Sequence, residues 1–212
     1  MRNGGRRAIV LVLHCDDIGR GARASSGRCE RHSLRVRIVR RTQNVKTLET
    51  RRLYCREWED ADAADCAHLY AKPDVMQFIP GGVWTPERTA RAIQRFKERT
   101  AQSGLPIYPI LSKTTDTIIG HAGLGRVEDT EKTEVFYLLD DAYWGQGYAR
   151  EAADAFLDVA FSRLALERVF ALAFPANVRS HAVMRKLGMQ PDGRAFHFGV
   201  ELVQYVITAS QR

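Results

Sequence analysis

Tyr143-Trp144-Gly145-Gln146-Gly147-Tyr148-Ala149 lies between an apolar run, Glu134–Leu139 (EVFYLL), and a segment in which Ala153, Phe156, Leu157, Ala160, Phe161 and Leu164 recur at helical spacing. The run reads as a strand and the repeat as an amphipathic helix, so the quoted stretch is a loop feeding a helix N-terminus. Such a terminus presents unpaired N–H groups and partial positive charge, which suit a phosphate. Gly145 and Gly147 would let the backbone approach a ligand closely, and Ala149 keeps the helix start narrow. A G-x-G in a loop is also an ordinary turn signal. This one is not a dinucleotide fingerprint, because the third glycine and the downstream acid on a strand are missing. It is not a P-loop either, which needs G-K-[ST].

Upstream of this loop the pattern is regular from Leu48 on. Leu48–Trp58 reads as one strand, and Asp60–Ala71 as a helix with Cys66, Leu69 and Tyr70 on one face and Pro73 just beyond its end. Thr85-Pro86-Glu87 is a helix start, with a capping hydroxyl, a proline at the first helical position and an acid in the first turn. That helix is expected to carry Ala90, Ile93 and Phe96 inward and to stop at Gly104. Ile107–Ser112 and Thr117–Leu124 read as strands joined by the turn Thr114–Asp116. Pro109 fits a central strand badly and implies a bulge or a local edge. Downstream, Arg168–Phe174 reads as a buried strand, Asn177–Leu187 as a helix closed by Gly188, and Ala195–Ile207 as one or two last strands. The order predicts a mixed α/β fold with helices flanking one sheet.

Charge separates the chain into two parts. The net charge is +7 over 212 residues, yet residues 1–45 alone, with eleven arginines and three acids, carry +8. Residues 46–212 are therefore close to neutral, and their charge gives no nucleic-acid footprint. Residues 1–45 read as an Arg-rich, poorly ordered appendage, with Ile9–Gly19 as one strand and an acidic turn. His14 beside Asp16 and Asp17 reads as a solvated turn before a metal site, and no metal is expected. Asp16, Asp17 and Glu30 argue against a transit peptide, and Ala8–Leu13 is short for a secretory signal. A start further downstream would need a non-AUG codon, since the next methionine, Met76, falls too late. No apolar run approaches the ~18 residues of a membrane-spanning helix. Cys15, Cys29, Cys55 and Cys66 include no C-x-x-C pair, which points to free thiols and a cytoplasmic location.

A second constellation, Asn177-Val178-Arg179-Ser180, precedes Met184–Gly188 (MRKLG). Taken alone, Asn177 is a plain N-cap and Ser180 a residue of the first helical turn. Both constellations together, in this order and spacing, resemble the GCN5-related N-acetyltransferase (GNAT) superfamily. Glu134–Leu139, W-G-Q-G-Y-A-R-E at Trp144–Glu151 and N-V-R-S…M-R-K-L-G-M at Asn177–Met189 carry the likeness. L-E-T-R-R-L at Leu48–Leu53, V-M-Q-F at Val75–Phe78 and I-I-G-H-A-G-L at Ile118–Leu124 resemble the branch that acetylates ribosomal-protein N-termini. The likeness covers roughly residues 46–208 and leaves 1–45 outside.

The resemblance implies a mostly antiparallel central sheet and an acetyl-CoA co-substrate. In that family the two strands after the helical hairpin splay apart and admit pantetheine. It would bond backbone groups near Leu138, Leu139 and Asp140 as an added strand does. The pyrophosphate would sit on N–H groups of Gly145, Gln146, Gly147, Tyr148 and Ala149. Asn177 would bond the pantetheine arm, and Ser180 would give a proton or a hydrogen bond to the departing thiolate. Many members carry a tyrosine acid where this chain has Met184, so that role passes to Ser180 or to water.

The attacking amine must be neutral, and an α-amine near pKa ~7.7–8.0 needs less help than a lysine near ~10.4. Glu134, which shares a strand face with Phe136 and Leu138, is the candidate base, through a water; its bland alternative is an edge-of-sheet charge. His121 is a second candidate base without a family counterpart. Phe78, Ile79, Pro80 and Trp84 either line an acceptor pocket or form a loop core. The expected reaction is direct acetyl transfer to a primary amine, either a protein N-terminus or a small molecule. Two other readings are a non-catalytic acyl-CoA sensor and a nucleic-acid-binding protein acting through residues 1–45.

Overall fold

The computed structural model describes residues 48–127 and 130–212, so the expectations for residues 1–45 lie outside the described residues. Two short strands, β1 (Leu48–Glu49) and β2 (Leu53–Cys55), come first among the described residues. Helices α1 (Asp62–Tyr70), α2 (Pro73–Met76) and α3 (Pro86–Ser103) follow, then β3 (Ile107–Ser112), β4 (Ile118–Arg126) and β5 (Thr133–Leu139). The second half is α4 (Tyr148–Asp158), β6 (Arg168–Ala173), α5 (Val178–Lys186), β7 (Gln190–His197) and β8 (Val200–Thr208). All strands among the described residues form one sheet in the order β1-β2-β3-β4-β5-β6-β8-β7, antiparallel except between β5 and β6. The fold is thus the expected α/β class with a mostly antiparallel sheet. None of the helices among the described residues is long and apolar enough to cross a membrane.

Local chemistry explains most element ends. The Thr85 hydroxyl accepts from the Arg88 N–H at 3.2 Å, Pro86 begins α3, and Gly104 ends it with φ +70°. Pro109 sits at a local edge. The Leu124 N–H bonds the Pro106 carbonyl, and alternation from there turns the Pro109 nitrogen away from β4, past the last β2 pairing at Cys55 and Ile110. The register also slips between Ile110 and Leu111.

Two expectations are corrected. Leu48–Trp58 is not one strand, because Thr50–Arg52 turns the chain and pairs Leu48 with Cys55. Ala90 is exposed, and α3 instead buries Thr89, Ala92, Ile93 and Phe96. The core lies on both faces of the sheet, with α1 and α3 on one side and α4 and α5 on the other. On α4, Phe156 and Leu157 are fully buried, each contributing about 1.5–3 kcal/mol by apolar burial.

One irregularity positions the site. The strands directly after the helices, β3 and β4, pair from Ile107 and Gly123 onward, so the splay does not fall there. It falls two strands later: β5 and β6 pair only at Glu134 and Phe170, and beyond that point β5 runs to Leu139 and β6 to Ala173 unpaired with each other.

Candidate active site

The wedge between β5 and β6 exposes a defined set of backbone groups. Asp140 N–H donates to the Ile119 carbonyl at 2.8 Å and Val127 N–H to Lys132 at 2.9 Å, which fixes the alternation along β4 and β5. Leu138 therefore exchanges its backbone bonds with His121, whereas Tyr137 and Leu139 turn theirs toward the wedge. Of the expected pantetheine partners, Leu139 faces the gap and Leu138 does not. The Leu139 carbonyl accepts from the Trp144 indole N–H at 2.9 Å. Asp140 is buried and serves the architecture. Its carboxylate caps the short turn Asp141–Tyr143 by accepting from Ala142 N–H at 2.9 Å. It also takes Lys72 Nζ at 2.8 and 2.9 Å, tying the α1–α2 junction to the end of β5.

From Leu139 the chain reaches the N-terminus of α4. Gly145 and Gly147 both adopt positive φ, +77° and +82°, the left-handed conformation that glycine alone takes without strain. Gly147 is the N-cap and has no side chain to close the helix end, so the first N–H groups of α4 are left for another acceptor. They open on a cavity of about 660 Å³ lined by Leu139, Trp144, Gly145, Gly147, Tyr148 and Ala149. Arg150, Arg179 and Lys186 line the same cavity. Gln146 supports the turn instead of facing the cavity: its amide donates to Ala142 O at 2.9 Å and its own carbonyl takes Arg52 Nη1 at 3.0 Å. The Arg52 guanidinium lies 4.0 Å from the centre of the Tyr148 ring, and that of Arg179 lies 5.1 Å from Trp144.

The far wall is α5. Asn177 is its N-cap, with Oδ1 accepting from Ser180 N–H at 3.2 Å. Ser180 is fully buried, and its hydroxyl lies 3.0 Å from that of Tyr137 on β5. The sequence reading missed Tyr137 and the three cations. A signal existed for two of them: Arg150 and Arg179 stand in the first turns of α4 and α5, where the helix dipole disfavours a cation unless an anion is shared there.

On the α1/α3 face the Glu134 carboxyl is buried, and its Oε2 has no hydrogen-bond partner. Burial pushes its pKa well above the usual carboxylate range, with Arg99 pulling weakly the other way. Glu134 is therefore not a surface charge at the sheet edge. His121 is also buried; its Nδ1 lies 2.9 Å from the Tyr70 hydroxyl, and burial pushes its pKa down to about 3. Phe78, Ile79 and Trp84 pack into the core, with Phe78 against Phe174 at the open end of β6 and Trp84 stacked on Tyr70. Among the described residues no cluster of histidine, cysteine or acidic side chains could hold a metal ion.

Residues 52–190 match the Acetyltransferase (GNAT) domain. The uncharacterized N-acetyltransferase YnaD of Bacillus subtilis is 31% identical over 146 residues, 69% of this chain and 84% of that protein. A GNAT-family acetyltransferase from Bacillus anthracis, of known structure, superimposes with a TM-score of 0.68 at 26% identity, over 77% of this chain and 98% of that one. The ribosomal-protein α-N-acetyltransferase RimL, solved in complex with coenzyme A, shares the fold with a TM-score of 0.66 at 17% identity, covering 77% and 97% of the two chains. With the splayed strands, the glycine-capped helix and the matched domain all on one chain, the protein belongs to the GNAT acetyltransferase family.

Proposed function

We propose that the protein transfers the acetyl group of acetyl-CoA directly to a primary amine, with Glu134 as base and Ser180 as hydrogen-bond donor to the leaving thiolate. The observation that carries the reading is the uncapped, glycine-flanked start of α4 opening on a cavity that Arg150, Arg179 and Lys186 make cationic. Pyrophosphate would accept from N–H groups between Gly145 and Ala149, and pantetheine would continue along Tyr137 and Leu139, whose backbone groups face the wedge. Asn177, at the head of α5, would bond the pantetheine arm from the other side.

The thioester then ends beside β5, where Glu134 supplies the base. A carboxyl whose pKa is raised by burial holds a proton more strongly once it takes one, so it suits removing a proton from an amine through a water. Among the described residues, a covalent acyl-cysteine route is not favoured. Cys55 and Cys66 are buried, and burial pushes both thiols up to about 12, so neither is a thiolate near neutrality. The acceptor class is a protein N-terminal α-amine or a small amine, reaching Glu134 from the α1/α3 side.

A thermal-shift titration of the full chain with acetyl-CoA tests the reading. Ligand at 100 times its dissociation constant should add about 2.7 kcal/mol, a shift of some degrees. No shift in folded protein at millimolar acetyl-CoA would leave only a shared architecture.

A further inference from the structure

Resting on that reading of the coenzyme site, we propose that Tyr137 is a positioning residue for acetyl transfer: its phenol donates to Ser180 Oγ and frees the serine O–H to donate to the sulfur of the departing thiolate. The two hydroxyls are 3.0 Å apart, one on β5 and the other on α5, the helix that follows β6, so the bond spans the wedge. Tyr137 lies two residues before Leu139 and on the same strand face, while Arg179, Ala182 and Val183 line the cavity from the same helix as Ser180. An extended group entering from the cavity and passing Leu139 therefore meets this pair next.

The direction of the bond follows from acidity. A phenol (pKa ~10) is a far better donor than an aliphatic hydroxyl, so Tyr137 donates and Ser180 accepts. Burial raises the Tyr137 pKa further, opposed in part by the Ser180 hydrogen bond, and the phenol stays protonated throughout. Asn177 Oδ1 holds the Ser180 N–H at 3.2 Å and fixes the serine backbone, so the side-chain proton is the remaining free donor.

The step balances without a further reactant. The amine lone pair forms the C–N bond, the C–S bond breaks with its electron pair on sulfur, and the amine proton leaves to the base. Ser180 gives sulfur a hydrogen bond without losing its proton. In a buried setting such a bond to an ion outweighs the same bond in water.

The pair predicts that the thiol of bound coenzyme A is more acidic than that of free coenzyme A titrated in the same buffer, which can be read without knowing the acceptor. Thiolate absorbance of bound coenzyme A is titrated against pH in the full chain and in Tyr137→Phe, Ser180→Ala and the double variant. Each single variant should raise the bound thiol pKa by about one unit, roughly a tenfold loss of thiolate at fixed pH. The double variant should raise it no further, because the residues act through one donor. Ser180→Thr, which keeps a hydroxyl, should retain the lowered value. Affinity at about pH 6, where the thiol is protonated, should stay within about twofold in all of them. An unchanged thiol pKa in Tyr137→Phe or in Ser180→Ala overturns the proposal. So does a variant that loses only melting temperature and low-pH affinity, since that is the mark of a plain packing contact. Failure of the unaltered protein to bind coenzyme A would sink the acetyltransferase reading itself, whereas binding with an unshifted thiol would sink this inference alone.

Discussion

Glu151 in the first turn of α4 accepts from Arg52 twice, from its backbone N–H at 2.8 Å and from its Nε at 2.6 Å. Thr50 Oγ1 adds a third bond at 2.6 Å, and Arg52 reaches on to the Gln146 carbonyl at 3.0 Å. The turn between β1 and β2 thereby clamps the helix start that faces the cavity. Burial works against ionisation of Glu151, but these hydrogen bonds outweigh it and hold its pKa below the usual carboxylate value. A depressed acid stabilises the fold above its unfolded pKa, ~4.3, and stops doing so as pH falls through the folded value. Glu151→Gln should therefore cost about 1 kcal/mol at pH ~7. The deficit should begin to shrink in melts below about pH 4.3 and vanish only below the depressed folded pKa. A deficit independent of pH would mean that the carboxylate charge contributes nothing to the clamp.

Much of the fold was legible, and the exceptions share a cause. Thr85-Pro86-Glu87 and Gly104 mark α3 because caps are encoded within a few residues of the helix end. Pro109, by its missing N–H, announced a bulge or a local edge, and the structure has the edge at Pro109 and a register slip just after it. The break at Thr50–Arg52 did not show, because those residues carry no turn signature and turn through contacts with α4 a hundred residues away. The motif residues Arg51 and Arg52 were visible as a likeness, while the clamping role of Arg52 was not. The Tyr137–Ser180 bond joins residues 43 apart whose meeting depends on how α5 crosses the sheet. Which backbone groups of β5 turn toward β6 was not legible either, since only the register with β4 decides that Leu139 faces the gap and Leu138 does not.

Glu134→Gln should separate activity from stability. The raised pKa of Glu134 means that folding favours its protonated form, so its contribution is full below the unfolded pKa and is lost as pH rises. A permanently neutral amide of the same shape should raise the melting temperature at pH ~8 and leave it nearly unchanged at pH ~4. The same variant should lower turnover on the order of 10²-fold or more with acetyl-CoA affinity nearly constant. Equal losses of turnover and affinity would remove Glu134 from the role of base.

His121 should be absent from the pH–rate profile. Its pKa, pushed down to about 3 by burial, keeps the ring neutral across the working range, with Nδ1 engaged by Tyr70 at 2.9 Å. His121→Gln is expected to lose stability through repacking among Trp58, Tyr70, Phe96 and Phe136. The shape of its kcat/KM profile against pH should match that of the unaltered protein. An inflection near pH ~6.5 that disappears in the variant would restore His121 as a base.

The cations around the cavity should act on phosphate and on nothing else in the coenzyme. Arg179 is placed by its helix and by the Trp144 ring 5.1 Å away, and Arg150 by the first turn of α4. Both sit where a helix N-terminus repels a cation, so a bound diphosphate relieves an unfavourable arrangement as well as gaining two partners. Arg179→Gln should weaken acetyl-CoA binding about tenfold, an effect of ~1.4 kcal/mol in calorimetric titration. The weakening should shrink as salt rises, because the cavity is open to solvent. S-acetylpantetheine, which has the thioester arm but no diphosphate, should bind the variant and the unaltered protein alike. If both ligands lost affinity equally, Arg179 would be shaping the pantetheine wall of α5, and the anion would have to be assigned to the α4 terminus and Arg150 alone.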